Sequence, residues 1–249
     1  VWPHRVFMMP GPLCRNLSGT RGVYGHNGRE GRNGREWVEF TLAGESDIVD
    51  KRMTGTTNIV MVGVGGQGIV LASTVISLAA LRSGVDVKNN EVHGMAQRGG
   101  SVMAHVRFGA QVYSPLIEPG TAQILVALEV LEGIRHAHYV AQDGVALVNT
   151  QRIVPVTVTS GQAEYPAEAE ELAARLFPRL VAADCYAAAH ALGNARVVNS
   201  IMIGMLSRFL AFTPALYEEI LFDVLPEKLH AVNLRAFAQG REMGLTTHT

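Results

Sequence analysis

Short apolar runs alternate with segments of helical period from Asn58 onwards, and that alternation predicts the architecture. Ile59–Val62 is a continuous apolar run suited to a strand buried on both faces. Gly66–Ser83 reads as a helix, with Ile69, Val70, Ala72, Val75, Ile76, Ala79 and Ala80 on a helical stripe. Gly84 stops it, and Val85–Lys88 reads as a second short strand. A polar, glycine-rich loop is expected around residues 91–100. Ser101–Phe108 alternates, with Val102, Ala104, Val106 and Phe108 on one side, and Gln111–Ser114 reads as a partner strand after a turn. Gln123–Leu128 is a further buried strand, followed by a helix over Glu129–Tyr139.

The second half continues the pattern. Strands are expected at Val145–Asn149, Val154–Val158 and Leu180–Ala183. Helices are expected at Ala167–Phe177 and Cys185–Leu192, then at Val197–Phe209, Pro214–Val224 and Pro226–Gly240. The prolines fit first helical positions, and Asn194 suits an N-cap. Strands alternating with helices predict an α/β fold: a Rossmann-like, doubly wound, mainly parallel sheet with a helical C-terminal layer. The stripe of Ile201, Met202, Met205 and Phe209 reads as core or as part of an interface.

Residues 1–52 do not share this pattern. Arg21–Arg35 reads RGVYGHNGREGRNGR, which has no period and little apolar surface. We expect residues 1–52 to be a disordered or non-native N-terminal extension and 53–249 to form the working domain. An RNA-binding arm is the functional alternative for the Arg-Gly segment. Met53 leads into the first strand through a short polar stretch, MTGTT, and a chain starting there is expected to remain soluble.

Composition narrows the function. The 249 residues are 48% hydrophobic and carry a net charge of −1, so nothing marks a nucleic-acid footprint. No apolar run approaches the ~20 residues of a membrane span, nor is there the apolar core of a secretory signal; a cytoplasmic protein is expected. Cys14 and Cys185 are the two cysteines, too few for the four-thiolate cradle of an iron–sulfur cluster. No metal site is expected at His105, His136, His138 or His190, since no acidic residue stands at a usual spacing. His136 and His138 would point to different faces of a helix.

Two stretches carry candidate chemistry. Gly63, Gly65 and Gly68 satisfy G-x-G-x-x-G after a strand and at the start of a helix, where exposed amides favour an anion. Gly66 completes the turn, and Gln67 places an amide beside the anion site. The glycines also suit the simpler role of closing a tight turn. A dinucleotide would want an acidic residue at the tip of the second strand; Asp86 and Glu91 are displaced from it, and Asn89-Asn90 occupy it. The second stretch is EVHGMAQRGGSV at 91–102. Arg98 offers a bidentate fork for a carboxylate or phosphate, and His93 a proton carrier near neutral pH. The alternative is a loop packed on a partner subunit, with Arg98 in an ion pair.

VGVGGQGIVLAS at 62–73 and EVHGMAQRGGSVMAHVRFG at 91–109 closely resemble the gamma-type components of 2-oxoacid:acceptor oxidoreductases. The His-Gly-Met-Ala-Gln-Arg-Gly-Gly phrase is most similar to the beta-type subunits acting on indolepyruvate. Gly193-Asn194-Ala195-Arg196-Val197-Val198-Asn199 with Gly204 also resembles the family, and the likeness runs from about Asn58 to Gly244. The resemblance implies oxidative decarboxylation of aryl 2-oxoacids to an acyl-CoA with reduction of ferredoxin. It implies a large alpha subunit that holds thiamine diphosphate, Mg2+ and 4Fe-4S clusters, with this chain completing a cleft and helping to position CoA. By the same analogy, His93 and Arg98 are cleft or interface residues, and Gly63, Gly65, Gly66, Gln67, Gly68, Gln97, Gly99 and Gly100 belong to cofactor-binding loops. Outside that family, a free-standing NAD- or FAD-binding protein and a non-catalytic adaptor stay open.

Overall fold

The computed structural model describes residues 55–93, 100–154 and 164–244, with Val158, Gly161 and two short strands near the N-terminus; His93 is described by its backbone alone. Those strands, β1 (Arg29–Glu30) and β2 (Glu36–Trp37), pair antiparallel, which the lack of alternation there did not predict.

The body is a six-stranded sheet. Its strands are β3 (Thr57–Val64), β4 (Asp86–His93), β5 (Ser101–Gly109), β6 (Ala122–Ala127), β7 (Val140–Asn149) and β8 (Leu180–Ala183). They lie in the order β4-β5-β3-β6-β7-β8. β3, β6, β7 and β8 are parallel, while β5 runs antiparallel between β3 and β4. The sheet is therefore α/β and mainly parallel, with one reversed strand.

Alternate residues of each strand enter two separate cores. Ile59, Met61, Ile124, Val126, Val145 and Leu147 face one side. There they pack on α1 (Ile69–Arg82), α5 (Val198–Ser207), α6 (Pro214–Val224) and α7 (His230–Met243). Val60, Val62, Leu125, Ala127, Ala146 and Val148 face the other side. They are covered by α2 (Val130–Arg135) and α3 (Ala169–Leu176). The shorter α4 (Cys185–Ala191) contributes Cys185 and Ala189 to the first core. β3 is buried along its whole length, as a strand between two apolar layers must be.

The C-terminal layer closes through backbone contact. A Cβ on Gly240 would lie 1.9 Å from the carbonyl oxygen of Ile201, and one on Gly204 would lie 2.2 Å from that of Phe237. α5 and α7 thus cross with their main chains touching. The stripe of Ile201, Met202, Met205 and Phe209 is buried in the same layer.

Several expected boundaries shift, each for a visible reason. β4 runs to His93 rather than ending at Lys88; it is an edge strand whose polar residues pair with β5. Glu91 and His93 are therefore strand residues, not loop residues, and Asn89-Asn90 lie mid-strand rather than at the tip. Gln111–Ser114 forms no strand. Side chains strap that segment down instead: Val112 N–H donates to Asp86, Arg107 donates to the carbonyls of Ser114 and Leu116, and Ile117 N–H donates to His105 Nδ1.

β7 starts at Val140, with Gly144 inside a stretch where its register against β6 shifts. Val154 is not in a strand, and residues 155–157 lie outside the described residues. The helix expected over Glu129–Tyr139 divides into α2 and a 3-10 turn at Ala137–Tyr139. His136 and His138 consequently do not point to opposite helix faces; their rings stack with centroids 6.3 Å apart. A second 3-10 turn, Glu227–Leu229, precedes α7, and Asn194 caps the 3-10 turn Ala195–Val197 through its side chain.

His105 offers a pH test of this packing. It is 3% exposed, and Nδ1 accepts the Ile117 amide, so the proton sits on Nε2, which meets Met103 Sδ at 3.3 Å. Burial, reinforced by His136 and Arg107, holds its pKa below the usual histidine value. The unfolded chain then binds the extra proton first as pH falls. This contribution to stability is complete above ~6.5 and is lost as pH falls through the depressed folded value. Denaturant unfolding at pH 7.5, 6.5 and 5.5 should show the decline, with one proton contributing at most about 1.4 kcal/mol per pH unit. His105→Asn, which keeps an acceptor near Nδ1 but does not titrate, should flatten it.

Candidate functional site

The turn from β3 into α1 lies at the carboxyl edge of the sheet, where open α/β folds bind ligands. Gly66 and Gly68 adopt φ of 103° and 84°, a region that favours glycine. At Gly68 a second constraint applies: an added Cβ would meet Asn199 Nδ2 at 2.5 Å. Asn199 comes from α5, so the C-terminal layer packs onto the start of α1. Gly68 caps that helix without any side-chain hydrogen bond, and its first turn holds no acidic residue. The start of this 14-residue helix thus opens on a cleft with no side-chain cap and no acidic residue in its own first turn. The cleft measures about 430 Å³ and is lined by Val64, Gly65, Gly66, Gly68, Ile69, Val70 and Val102.

Gln67 has a different role from the one its position implied. Its Oε1 accepts the Val64 amide at 2.8 Å, and its Nε2 donates to the Leu128 carbonyl at 2.8 Å. Both ends of the side chain staple the turn to the end of β6. Asn149, at the end of β7, donates to the same Leu128 carbonyl and accepts the amide of Cys185. A chain of amide hydrogen bonds therefore ties three strand ends together. Gly63 stands where a Cβ would reach Gln67 Oε1 at 2.8 Å, so its need for glycine is packing.

The second predicted stretch is joined to the first by its backbone. Gly65 N–H donates to the Gly100 carbonyl at 2.8 Å. His93 ends β4 opposite Val102 of β5. Gln97, Arg98 and Gly99 lie outside the described residues. Glu91 accepts from Ser73 Oγ of α1 at 2.9 Å, and Asp86 sits at the far end of β4 with Lys88 and the Val112 amide. Lys88 and that amide hold the Asp86 carboxyl below the usual range. Neither acid reaches the strand tip that a dinucleotide ribose would use. β5 also separates β3 from β4, so the two strands of that binding mode are not neighbours.

Two functional-site neighbours escaped the sequence reading. Glu129 and Glu132 are 1% and 3% exposed, just past the end of β6. Glu129 caps α2 through the Glu132 amide and accepts from Tyr165 Oη at 2.6 Å. Burial first, and this carboxylate second, raise the Tyr165 pKa. Glu132 accepts from Ser101 Oγ and from Arg135. The one available sign was the Glu-x-x-Glu spacing at a helix start. Elsewhere, the Cys185 thiol is fully buried against the sulfurs of Met202 and Met205, and burial pushes its pKa up to about 12. It offers no thiolate for a cluster. Among the described residues, no three His, Cys, Asp or Glu side chains group to hold a metal, and no helix is long and apolar enough to cross a membrane.

Comparison with known proteins places this geometry. The family model for pyruvate ferredoxin/flavodoxin oxidoreductase matches residues 58–243. The chain is 38% identical over 194 residues to indolepyruvate oxidoreductase subunit IorB of Archaeoglobus fulgidus, covering 76% of this chain and 96% of that one. It is 40% identical over 190 residues to the subunit of the same name from Thermococcus kodakarensis, covering 74% and 93%.

Among solved structures, it resembles the gamma subunit of a keto/oxoacid ferredoxin oxidoreductase from Geobacter sulfurreducens. The TM-score is 0.55 at 21% identity, over 76% of this chain and 98% of that one. It also resembles 31% of a chain of 2-oxoglutarate:ferredoxin oxidoreductase from Magnetococcus marinus, with a TM-score of 0.58 at 19% identity over 76% of this chain. At these identities the structures speak to the fold, and the sequence relatives carry the rest: the chain belongs to the pyruvate ferredoxin/flavodoxin oxidoreductase family.

Proposed function

We propose that this chain is the small subunit of a thiamine-dependent 2-oxoacid:ferredoxin oxidoreductase. The reaction is oxidative decarboxylation of indolepyruvate and related aryl 2-oxoacids. The acid loses CO2, the acyl carbon passes to the CoA thiol, and two electrons go to ferredoxin. The observation that carries this reading is the juncture of the glycine turn with Gly100, Gly65 N–H to Gly100 carbonyl, beside a start of α1 that has no side-chain cap. That arrangement suits the phosphates or carboxylate of an anionic substrate.

The chemistry-bearing groups fit a partner better than this chain. Thiamine diphosphate, Mg2+ and 4Fe-4S clusters are assigned to a large alpha subunit, as the family resemblance implies. This chain supplies a cleft wall, with His93 and Arg98 near the reacting molecule and Gly63, Gly65, Gly66, Gly68, Gln97, Gly99 and Gly100 shaping the loops. Gln67 holds the turn in shape. Residues 1–52 are assigned no part in the reaction.

The test is assembly. Tagged full-length chain and a form starting at Met53 should both recover from the host a large partner containing thiamine and iron. Those complexes should reduce ferredoxin when given indolepyruvate and CoA. Recovery of a lone chain or a self-dimer would overturn the subunit reading.

A further inference from the structure

We propose that Glu132 is a positioning residue for the cleft. Its buried carboxylate, acting through Ser101, holds the Gly100–Val102 wall against the glycine turn. Glu132 belongs to α2 and Ser101 opens β5, while β3 lies between β5 and β6 in the sheet. The contact therefore bridges the carboxyl end of β3 from one side to the other. Ser101 pairs with Val64 in register, and its hydroxyl donates to one Glu132 oxygen at 2.5 Å. Arg135 donates to the other oxygen, and His136 Nδ1 stands 4.0 Å from the oxygen that Ser101 bonds. Both neighbours on next residues of the wall meet the site directly: the Gly100 carbonyl accepts the Gly65 amide, and Val102 lines the cleft.

Helix capping does not account for this carboxylate. Glu129 performs that task for α2, through the amide of Glu132 rather than its side chain. A carboxylate 3% exposed is costly unless its oxygens are satisfied. Here one of its two partners is a serine hydroxyl at the mouth of the candidate site. A hydroxyl bonded to a carboxylate is held more firmly than one bonded to a neutral acceptor. Loosening it makes the binding-competent wall a smaller fraction of the population. That raises the apparent dissociation constant in proportion and leaves the saturated step alone.

The kinetic arm rests on the function proposed above, and a second arm does not. In the full chain, Ser101→Ala should speed amide exchange of Gly65 at least fivefold, read by NMR. In the assembled enzyme it should raise KM for indolepyruvate or CoA about fivefold to tenfold, with kcat within twofold of the parent. Glu132→Ala should behave alike. Glu132→Gln keeps an acceptor for Ser101 and should restore KM to within twofold of the parent.

Ser101→Ala leaves Glu132 paired with Arg135, so it tests the restraint even if Glu132→Ala does not fold. Unchanged Gly65 exchange overturns the positioning role. Faster exchange with unchanged KM in an active complex overturns its relevance to binding. A parent complex that oxidises no 2-oxoacid counts against the proposed function, while Gly65 exchange still decides the restraint.

Discussion

Gly240→Ala is expected to destabilise the chain by about 3 kcal/mol, near the upper end of the usual overpacking penalty. The methyl would sit 1.9 Å from the Ile201 carbonyl oxygen and within 3 Å of other Ile201 backbone atoms. No rotamer can relieve a clash with main chain, so α5 and α7 must move apart. α5 cannot retreat, because its ten residues are all buried. Across 150–250 residues, 1 kcal/mol shifts the thermal midpoint by about 2–4 °C, so a fall of roughly 6–12 °C is expected by circular dichroism. A midpoint within ~2 °C of the parent would show that the two helices do not cross so closely. The consequence reaches the site, because α5 also carries Asn199 against Gly68.

Arg98→Ala is expected to lower kcat/KM of the assembled enzyme about a hundredfold, or roughly 2.7 kcal/mol. That lies within the range for a hydrogen bond to a charged group. The thermal midpoint of the chain should stay within ~2 °C. The expectation follows from the proposed function: Arg98 lies two residues before Gly100, whose carbonyl is bound to the glycine turn. On that proposal the guanidinium would meet a carboxylate or phosphate with two parallel donors. Arg98→Lys keeps the charge but loses the fork, so it should recover only part of the rate. Steady-state ferredoxin reduction at varied indolepyruvate and varied CoA identifies which anion Arg98 serves. Unchanged turnover would remove this loop from the active site.

The glycine turn was legible because its signals are local. An apolar run, a tight Gly-rich turn and a helical stripe lie within a few residues of one another, and α1 forms where that stripe placed it. α6 begins at Pro214 and ends at Val224 as the pattern indicated. β4 was half legible. Residues Lys88–Glu91 are polar, and on an edge strand there is little burial to impose alternation, so the pattern ended before the strand did. The strap at 110–117 was misread for the opposite reason. Its backbone groups are satisfied by the side chains of Asp86, His105 and Arg107, which come from β4 and β5.

The sequence by itself determined the class of fold, the family, the turn that opens α1 and the segment that carries Arg98. These depend on side-chain period and on residue types at short spacing, which the chain states directly. Only the tertiary structure decided the strand order, with β5 reversed between β3 and β4. It alone gave Gln67 its task as a staple, set Asn199 against Gly68 and turned Glu132 towards Ser101. Apart from the Val64–Gln67 bond within the turn, those contacts join residues far apart in the chain. Their partners are chosen by which strands pair and which helices share a core, and no local period records that choice.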